Sequence, residues 1–303
     1  MQIPSSLQSL FSHFPLYTYP PILSGSKKLL KNPTIWVAPS SDPDSPLLSG
    51  DVECLKWQAY LALRGLSNIQ VRTDVDTQGA IDARLPNLHV PFDGAKSEMK
   101  AESTGPVDDS TNLLAAHHIP GWVDEQLGHN ALEDPLEGFK DETAKDESRA
   151  WVSLLEGNVH AALILSAPVP SLFNQFINLS LSTTTSPTID LSRILTPPPP
   201  PLTGLTGLFA LAFPQYGLRI HKSAVLARYI DAIGALSERL GTDKWFLGSE
   251  SPTPLDALAF AYLHCILLSS DPQIRTEVTK RVNLVAWEWR VRGMVRAAFV
   301  KAS

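Results

Sequence analysis

The sequence predicts a two-part fold, an α/β N-terminal domain followed by an all-α C-terminal domain. Three observations carry that expectation. Residues 33–90 run strand, helix, strand, then a proline that leads into another strand. From residue 146 onward the apolar residues recur at helical spacing. Residues 244–256 hold a helix-start signal that opens the most apolar stretch of the chain.

Taken in order, Pro33-Thr-Ile-Trp-Val-Ala38 is a short β-rich apolar run followed by a proline-punctuated loop with Pro39, Pro43 and Pro46. Asp51 then precedes an apolar-periodic segment with Leu55, Tyr60, Leu61, Leu63 and Leu66, so it serves as the N-cap of a helix of about four turns. Ile69 to Val75 alternates as a half-buried strand does, and Leu85-Pro-Asn-Leu-His-Val90 is a further short strand entered through proline. This order resembles a thioredoxin-like domain, in which a cis proline commonly starts the third strand, and Pro86 holds that place.

In the second half, Trp151, Leu154, Leu155, Val159, Ala162 and Leu163 form a 3.6-residue stripe ended by Pro168 and Pro170. Pro197 to Pro201 is a stiff polyproline run, read as a spacer between helices or a binding segment. Residues 221–240 and 254–269 read as helices, and residues 272–300 as helix in one or two pieces. At 253–256 the mechanics are explicit. Thr253 caps, Pro254 takes the first helical position where its missing N–H costs nothing, and Asp256 reaches back to the cap. The helix that follows is apolar on every side, so it belongs in the centre of a helical bundle.

The segment Lys244-Trp-Phe-Leu-Gly-Ser-Glu-Ser-Pro-Thr-Pro-Leu-Asp256 resembles the aromatic-Leu-Gly loop and Ser/Thr-x-x-Asp cap that open the central helix of glutathione transferases and their relatives. Other pieces resemble metaxins. They are Asp51-Val-Glu-Cys-Leu-Lys-Trp-Gln-Ala-Tyr-Leu61, Leu85 to Val90, and Glu147-Ser-Arg-Ala-Trp-Val-Ser-Leu-Leu-Glu156. Phe14-Pro-Leu-Tyr-Thr-Tyr-Pro-Pro21 is similar to the opening of the fungal metaxin-like receptor subunit of the mitochondrial sorting and assembly machinery. The resemblance covers residues 33–90 and 146–270. It implies a glutathione-transferase-like fold with the following limits: N-terminal extension 1–30, thioredoxin-like domain 31–95 with its last elements interrupted, acidic flexible insertion 96–145, and helical domain 146–303.

Transferase chemistry needs a thiolate-activating Tyr, Ser or Cys near the end of the first strand or the start of the first helix. Ser40 and Ser41 read as loop serines. Cys54 is the catalytic candidate, because a first-turn cysteine lies where the helix dipole lowers a thiol pKa. The competing reading is a small buried apolar residue. The Glu/Gln-Ser pair that relatives use for glutathione has no counterpart in order, since Ser97-Glu98 is reversed. His117, His118 and His129 match no metal-ligand spacing, so no metal and no cofactor are expected.

Composition narrows the class further. Residues 96–147 hold thirteen acids against four bases, net -9, which leaves +3 for the rest of a chain of formal charge -6. No dense basic stripe with interleaved aromatics points to nucleic acid. Two cysteines, Cys54 and Cys265, make no disulfide framework. Asn178-Leu-Ser180 fits a glycosylation pattern that is common by chance. The N-terminal residues lack the pattern of a signal or transit peptide, and no window is long and apolar enough for a transmembrane helix. The last segment mixes tryptophan with arginine and has two readings: a helix at a membrane or partner surface, with Trp289, Arg290, Arg292 and Arg296 as the contact residues, or the last helix of the bundle, with Trp287 and Val291 in the core.

The resemblance therefore implies a non-enzymatic, peripheral subunit on the cytosolic face of the mitochondrial outer membrane, acting in protein import. Its partners would be the BamA-like barrel subunit of the sorting and assembly machinery, a metaxin-like sister subunit, and β-barrel precursors. The expected lack of a hydrophobic tail anchor favours the receptor subunit over its sister. A divergent glutathione transferase or thiol transferase acting through Cys54, and a transferase-like adaptor in a cytosolic complex, are the alternatives.

Overall fold

The computed structural model describes residues 32–40, 42, 45–75, 77–91, 113–128, 136–166 and 221–301. They fall into two units, Met1–Ala131 with Val295–Ser303, and Leu132–Met294.

The first unit is built on a five-stranded sheet. β1 (Thr34–Trp36) is buried along its whole length, as a central strand covered on both faces must be. It pairs parallel with β2 (Ile69–Arg72) and antiparallel with β3 (Asn87–His89). Between β1 and β2 runs α1 (Val52–Leu63), capped by the Asp51 carboxylate, which accepts the Cys54 N–H at 2.9 Å. Helix α1 buries Cys54, Leu55, Gln58, Ala59 and Leu61. Gly65, at φ 91, turns the chain into β2, a conformation that glycine adopts at no steric cost. The Leu85–Pro86 peptide before β3 is cis.

The acidic stretch differs from its expected character. Leu113–Ala115 forms β4, antiparallel to β3, and Ile119–Leu127 forms α2. Charge hid an apolar face here: Ile119, Trp122 and Val123 are buried at helical spacing, while Asp124 pairs with Arg64 of the α1 terminus at 3.0 Å. Residues 96–112 and 129–135 of that stretch lie outside the described residues, as do 92–95 before it.

A second correction comes at the C-terminus, where helix was expected to residue 300. Phe299–Lys301 is a strand, β5, parallel to β2 with Ile69 opposite Phe299 and Val71 opposite Lys301. Three residues show no periodicity in sequence, and the open edge of β2 selects the extended form. The sheet order is β4-β3-β1-β2-β5, and the last residues of the chain belong with this unit rather than with a helical domain ending at 303.

The second unit is helical among its described residues. α3 (Glu142–Leu154) starts earlier than expected, because the Asp141 carboxylate accepts the Ala144 N–H at 2.7 Å. A π turn at Leu155–Val159 joins it to α4 (His160–Ser166). α5 (Lys222–Leu240) follows and is tied to α3 by Arg239, whose Nε and Nη2 reach the two Glu147 oxygens at 2.7 and 3.0 Å. α6 (Pro254–Leu268) is buried from Leu255 through Ile266, as a helix apolar all round must be. α7 (Pro272–Thr279) and α8 (Val282–Ala297) complete the unit. The Tyr229 hydroxyl of α5 donates to the Ile274 carbonyl of α7 at 2.7 Å, closing a buried polar gap between those helices. The Pro168–Pro170 stop, the Asn178 triplet and the polyproline run lie outside the described residues.

Candidate functional site

The corner between β1 and α1 is where thiol chemistry would have to occur. The chain leaves β1 through Val37 and Ala38, and the described loop residues 39, 40, 42 and 45–50 lie between β1 and α1. This loop is held by its own polar groups. Ser49 Oγ donates to the Ala38 carbonyl at 2.8 Å and accepts the Asp51 N–H at 3.2 Å. Gln58, fully buried on α1, accepts the Ser49 N–H and donates to the Leu47 carbonyl, both at 2.8 Å. Gly50 N–H donates to the Pro39 carbonyl. Ser40 accepts the Asp42 N–H and turns its hydroxyl toward the Asp42 and Ser45 carbonyls, so it is spent on loop structure. Ser41 lies outside the described residues.

Cys54 sits inside this corner and is 1% exposed. Its Sγ accepts the Ala38 N–H at 3.5 Å. Burial pushes its thiol up to about 12, and the Asp51 carboxylate adds to the rise. The helix dipole would act the other way. Here the group that caps the helix is itself an anion placed where a thiolate would form, and the desolvated pocket disfavours a second negative charge. At neutral pH the sulfur is a protonated thiol that packs as a small apolar group.

The capping residues form a second cluster. Asp256 accepts the Phe246 N–H at 2.9 Å through Oδ1, and the Thr253 N–H and hydroxyl at 2.8 and 2.7 Å through Oδ2. With Pro254 in the first turn, the capping box is complete. Burial raises the Asp256 carboxyl to about 6, against the pull of these donors. The cluster ties the Trp245–Gly248 loop to the start of α6 and offers no free group to a ligand.

The candidate surface residues all lie on α8. Trp289 is 69% exposed, and Trp287 and Val291 turn inward to the core. Arg290 lies over the Trp245 ring at 5.4 Å and donates to the Lys244 carbonyl. Arg296 is exposed and Arg292 half-buried.

One constellation escaped sequence reasoning. His264 of α6 and Glu288 of α8, 1% and 2% exposed, meet through Nδ1 and Oε1 at 2.7 Å. Phe260 stacks on the imidazole at 5.4 Å. The available signal was a histidine inside an otherwise apolar helix, and a glutamate between two tryptophans. The His117 and His118 rings lie 4.0 Å apart, tilted by 47°, and His129 lies outside the described residues. Among the described residues no three His, Cys, Asp or Glu side chains are grouped to hold a metal ion, and no helix is long and apolar enough to cross a membrane.

Residues 229–291 match the family described as glutathione S-transferase, C-terminal domain. No curated protein sequence matches the chain. Among solved structures it is similar to a glutathione transferase from Pseudomonas putida with one glutathione disulfide bound per subunit. That similarity is 10% identity over 88% of this chain and 92% of that one, with a TM-score of 0.44. A glutathione S-transferase from Methylobacterium radiotolerans in complex with glutathione sulfonate gives 14% identity over 90% and 96%, TM-score 0.46. A GST-like protein from Pseudomonas syringae gives 9% over 90% and 71%, TM-score 0.45. The sheet order, the cis Pro86, the Thr253–Asp256 cap and the matched helices make this a glutathione-transferase-like fold. A fold of this kind hosts many functions, and the site decides among them.

Proposed function

We propose that the chain is a non-enzymatic member of this fold, a metaxin-type subunit of the mitochondrial outer-membrane sorting and assembly machinery. In this role it binds the BamA-like barrel subunit beside a metaxin-like sister, and helps recognise β-barrel precursors before insertion. It works from the cytosolic face as a peripheral protein, with no cofactor and no nucleic-acid partner.

The observation that carries the non-enzymatic reading is the state of the β1–α1 corner. A transferase needs an exposed hydroxyl or a stabilised thiolate there. This chain supplies a buried thiol next to a carboxylate, and a serine committed to its loop. The runner-up, a Cys54-dependent transferase, has no accessible nucleophile among the described residues of this corner. Its counterpart for the glutamyl end of glutathione, Phe92 to Glu98, lies outside the described residues. The metaxin assignment is supported by the four segments quoted above.

Two assays test the pair of claims. Incubation with glutathione and a generic electrophile is expected to give no turnover above the uncatalysed rate, and turnover lost on Cys54→Ser would reverse the first claim. Cell fractionation with carbonate extraction is expected to place the chain on mitochondria and release it from the membrane. A purely cytosolic distribution would favour the adaptor reading instead.

A further inference from the structure

α8 has two faces of opposite character. Its inner face, with Leu284, Trp287, Glu288, Val291 and Val295, is buried. Its outer face carries Val282, 78% exposed, and Trp289 one heptad further on. At 100° per residue Arg296 lies one more heptad along the same line, and Arg292 and Arg290 flank it on either side. An indole left this open to water is unusual, because tryptophan is normally among the better-buried side chains. The charge on the helix is also sorted. Its single glutamate, Glu288, is withdrawn into the core, where it meets His264 at 2.7 Å and the Arg292 Nε at 3.8 Å, so the charges that reach the surface of α8 are positive. Lys244 extends the cationic ground, since its ammonium and the Arg290 guanidinium both lie over the Trp245 ring, at 5.7 and 5.4 Å.

We infer that the outer face of α8 is a shallow docking surface for an anionic lipid bilayer, with Trp289 seated in the headgroup layer and Arg296, Arg290 and Lys244 on its phosphates. A protein interface of comparable strength would need a dry apolar centre around its aromatic anchor. Here Trp289 shares the outer face with Val282 and the half-buried Val285 on its N-terminal side, and with Arg292, Gly293 and Arg296 on its C-terminal side, so the aromatic anchor stands at the edge of basic ground rather than at the centre of an apolar patch. A headgroup layer suits that pattern, because it takes an amphipathic ring at shallow depth and attracts basic side chains within a Debye length. This inference deepens the peripheral-membrane reading above and rests on it.

The test is flotation of the full chain with vesicles of phosphatidylcholine alone, or of phosphatidylcholine doped with phosphatidylserine, across a salt series. Expected is binding to the anionic vesicles only, weakening as salt rises. Arg296→Gln is expected to weaken it about fivefold, the factor for one basic residue at an anionic surface. Trp289→Ser is expected to weaken it at least as much. Arg149→Gln, which removes the same charge from an exposed site on α3, is expected to leave it within about twofold of the parent. Both α8 substitutions are outward, so unchanged unfolding midpoints show that the fold is intact.

No binding to anionic vesicles, equal binding to neutral ones, or equal losses in all three variants would overturn the inference. So would a Trp289-dependent dimer in sedimentation velocity, which would assign the face to a second copy of the chain. Capture of the barrel subunit from mitochondria, run with the same variants, separates the two levels. If capture persists while vesicle binding fails, only the lipid surface is lost. If vesicle binding stands and capture fails, the assembly role is lost.

Discussion

A cysteine three residues past a helix N-cap is the starting point of many thiol active sites, and here the surroundings cancel it. Cys54 and Cys265 are both buried and form no disulfide with each other. Neither is expected to react with a maleimide in the native protein, and both should react once the chain unfolds in denaturant; a fast native modification of Cys54 would contradict the corner described here. Asp256 allows a sharper test. Asp256→Ala strands the Phe246 and Thr253 N–H groups and removes a capping partner, at a cost of about 3 kcal/mol in urea unfolding. Because its carboxyl rises to about 6 in the folded state from an ordinary 3.8, the folded chain takes up a proton first as pH falls through that window. The Asp256 contribution to stability therefore grows with falling pH, and Asp256→Asn should abolish that slope. Glu147 has the opposite sign. The Arg239 guanidinium holds its carboxyl below the usual range, so its contribution is complete above about 4.5 and is lost as pH falls through the depressed value.

Between elements, the same ion pair links α3 to α5. Both partners are about one-third exposed, so solvent screening limits the link to about 0.5–1 kcal/mol, readable in a double-mutant cycle of Glu147→Gln and Arg239→Gln. The His264–Glu288 contact between α6 and α8 differs, because it is fully buried. Glu288→Ala leaves the buried Nδ1 of His264 without its partner and should cost about 1–3 kcal/mol, and no measurable loss in thermal or urea unfolding would show that the pair is not the bond the geometry indicates. Element order was legible in sequence wherever an element carried its own period or cap: α1 from Asp51, α6 from Thr253 and Asp256, β3 from Pro86. The elements that sequence hid are those fixed by distant partners. β4 and β5 are three residues each, too short for alternation to register, and strand pairing alone defines them. α2 carries its acids on the outer face, so net charge masked the buried stripe of Ile119, Trp122 and Val123. The candidate thiol was found by position alone, whereas its environment depends on Ala38, Ser49 and Gln58, brought to it by loop folding.

For the molecule as a whole, the proposed role uses the surfaces of a transferase-like fold rather than its thiol chemistry. Its helical half carries the match to the glutathione S-transferase C-terminal domain, and its sheet half has the strand order of the thioredoxin-like part with the Cys54 thiol buried. The most direct measurement of the central claim is affinity purification of the full chain from detergent-solubilised mitochondria, followed by mass spectrometry. Co-purification of a BamA-like barrel subunit in near-stoichiometric amount is the predicted result. Recovery of the chain from mitochondria with no barrel subunit would contradict it.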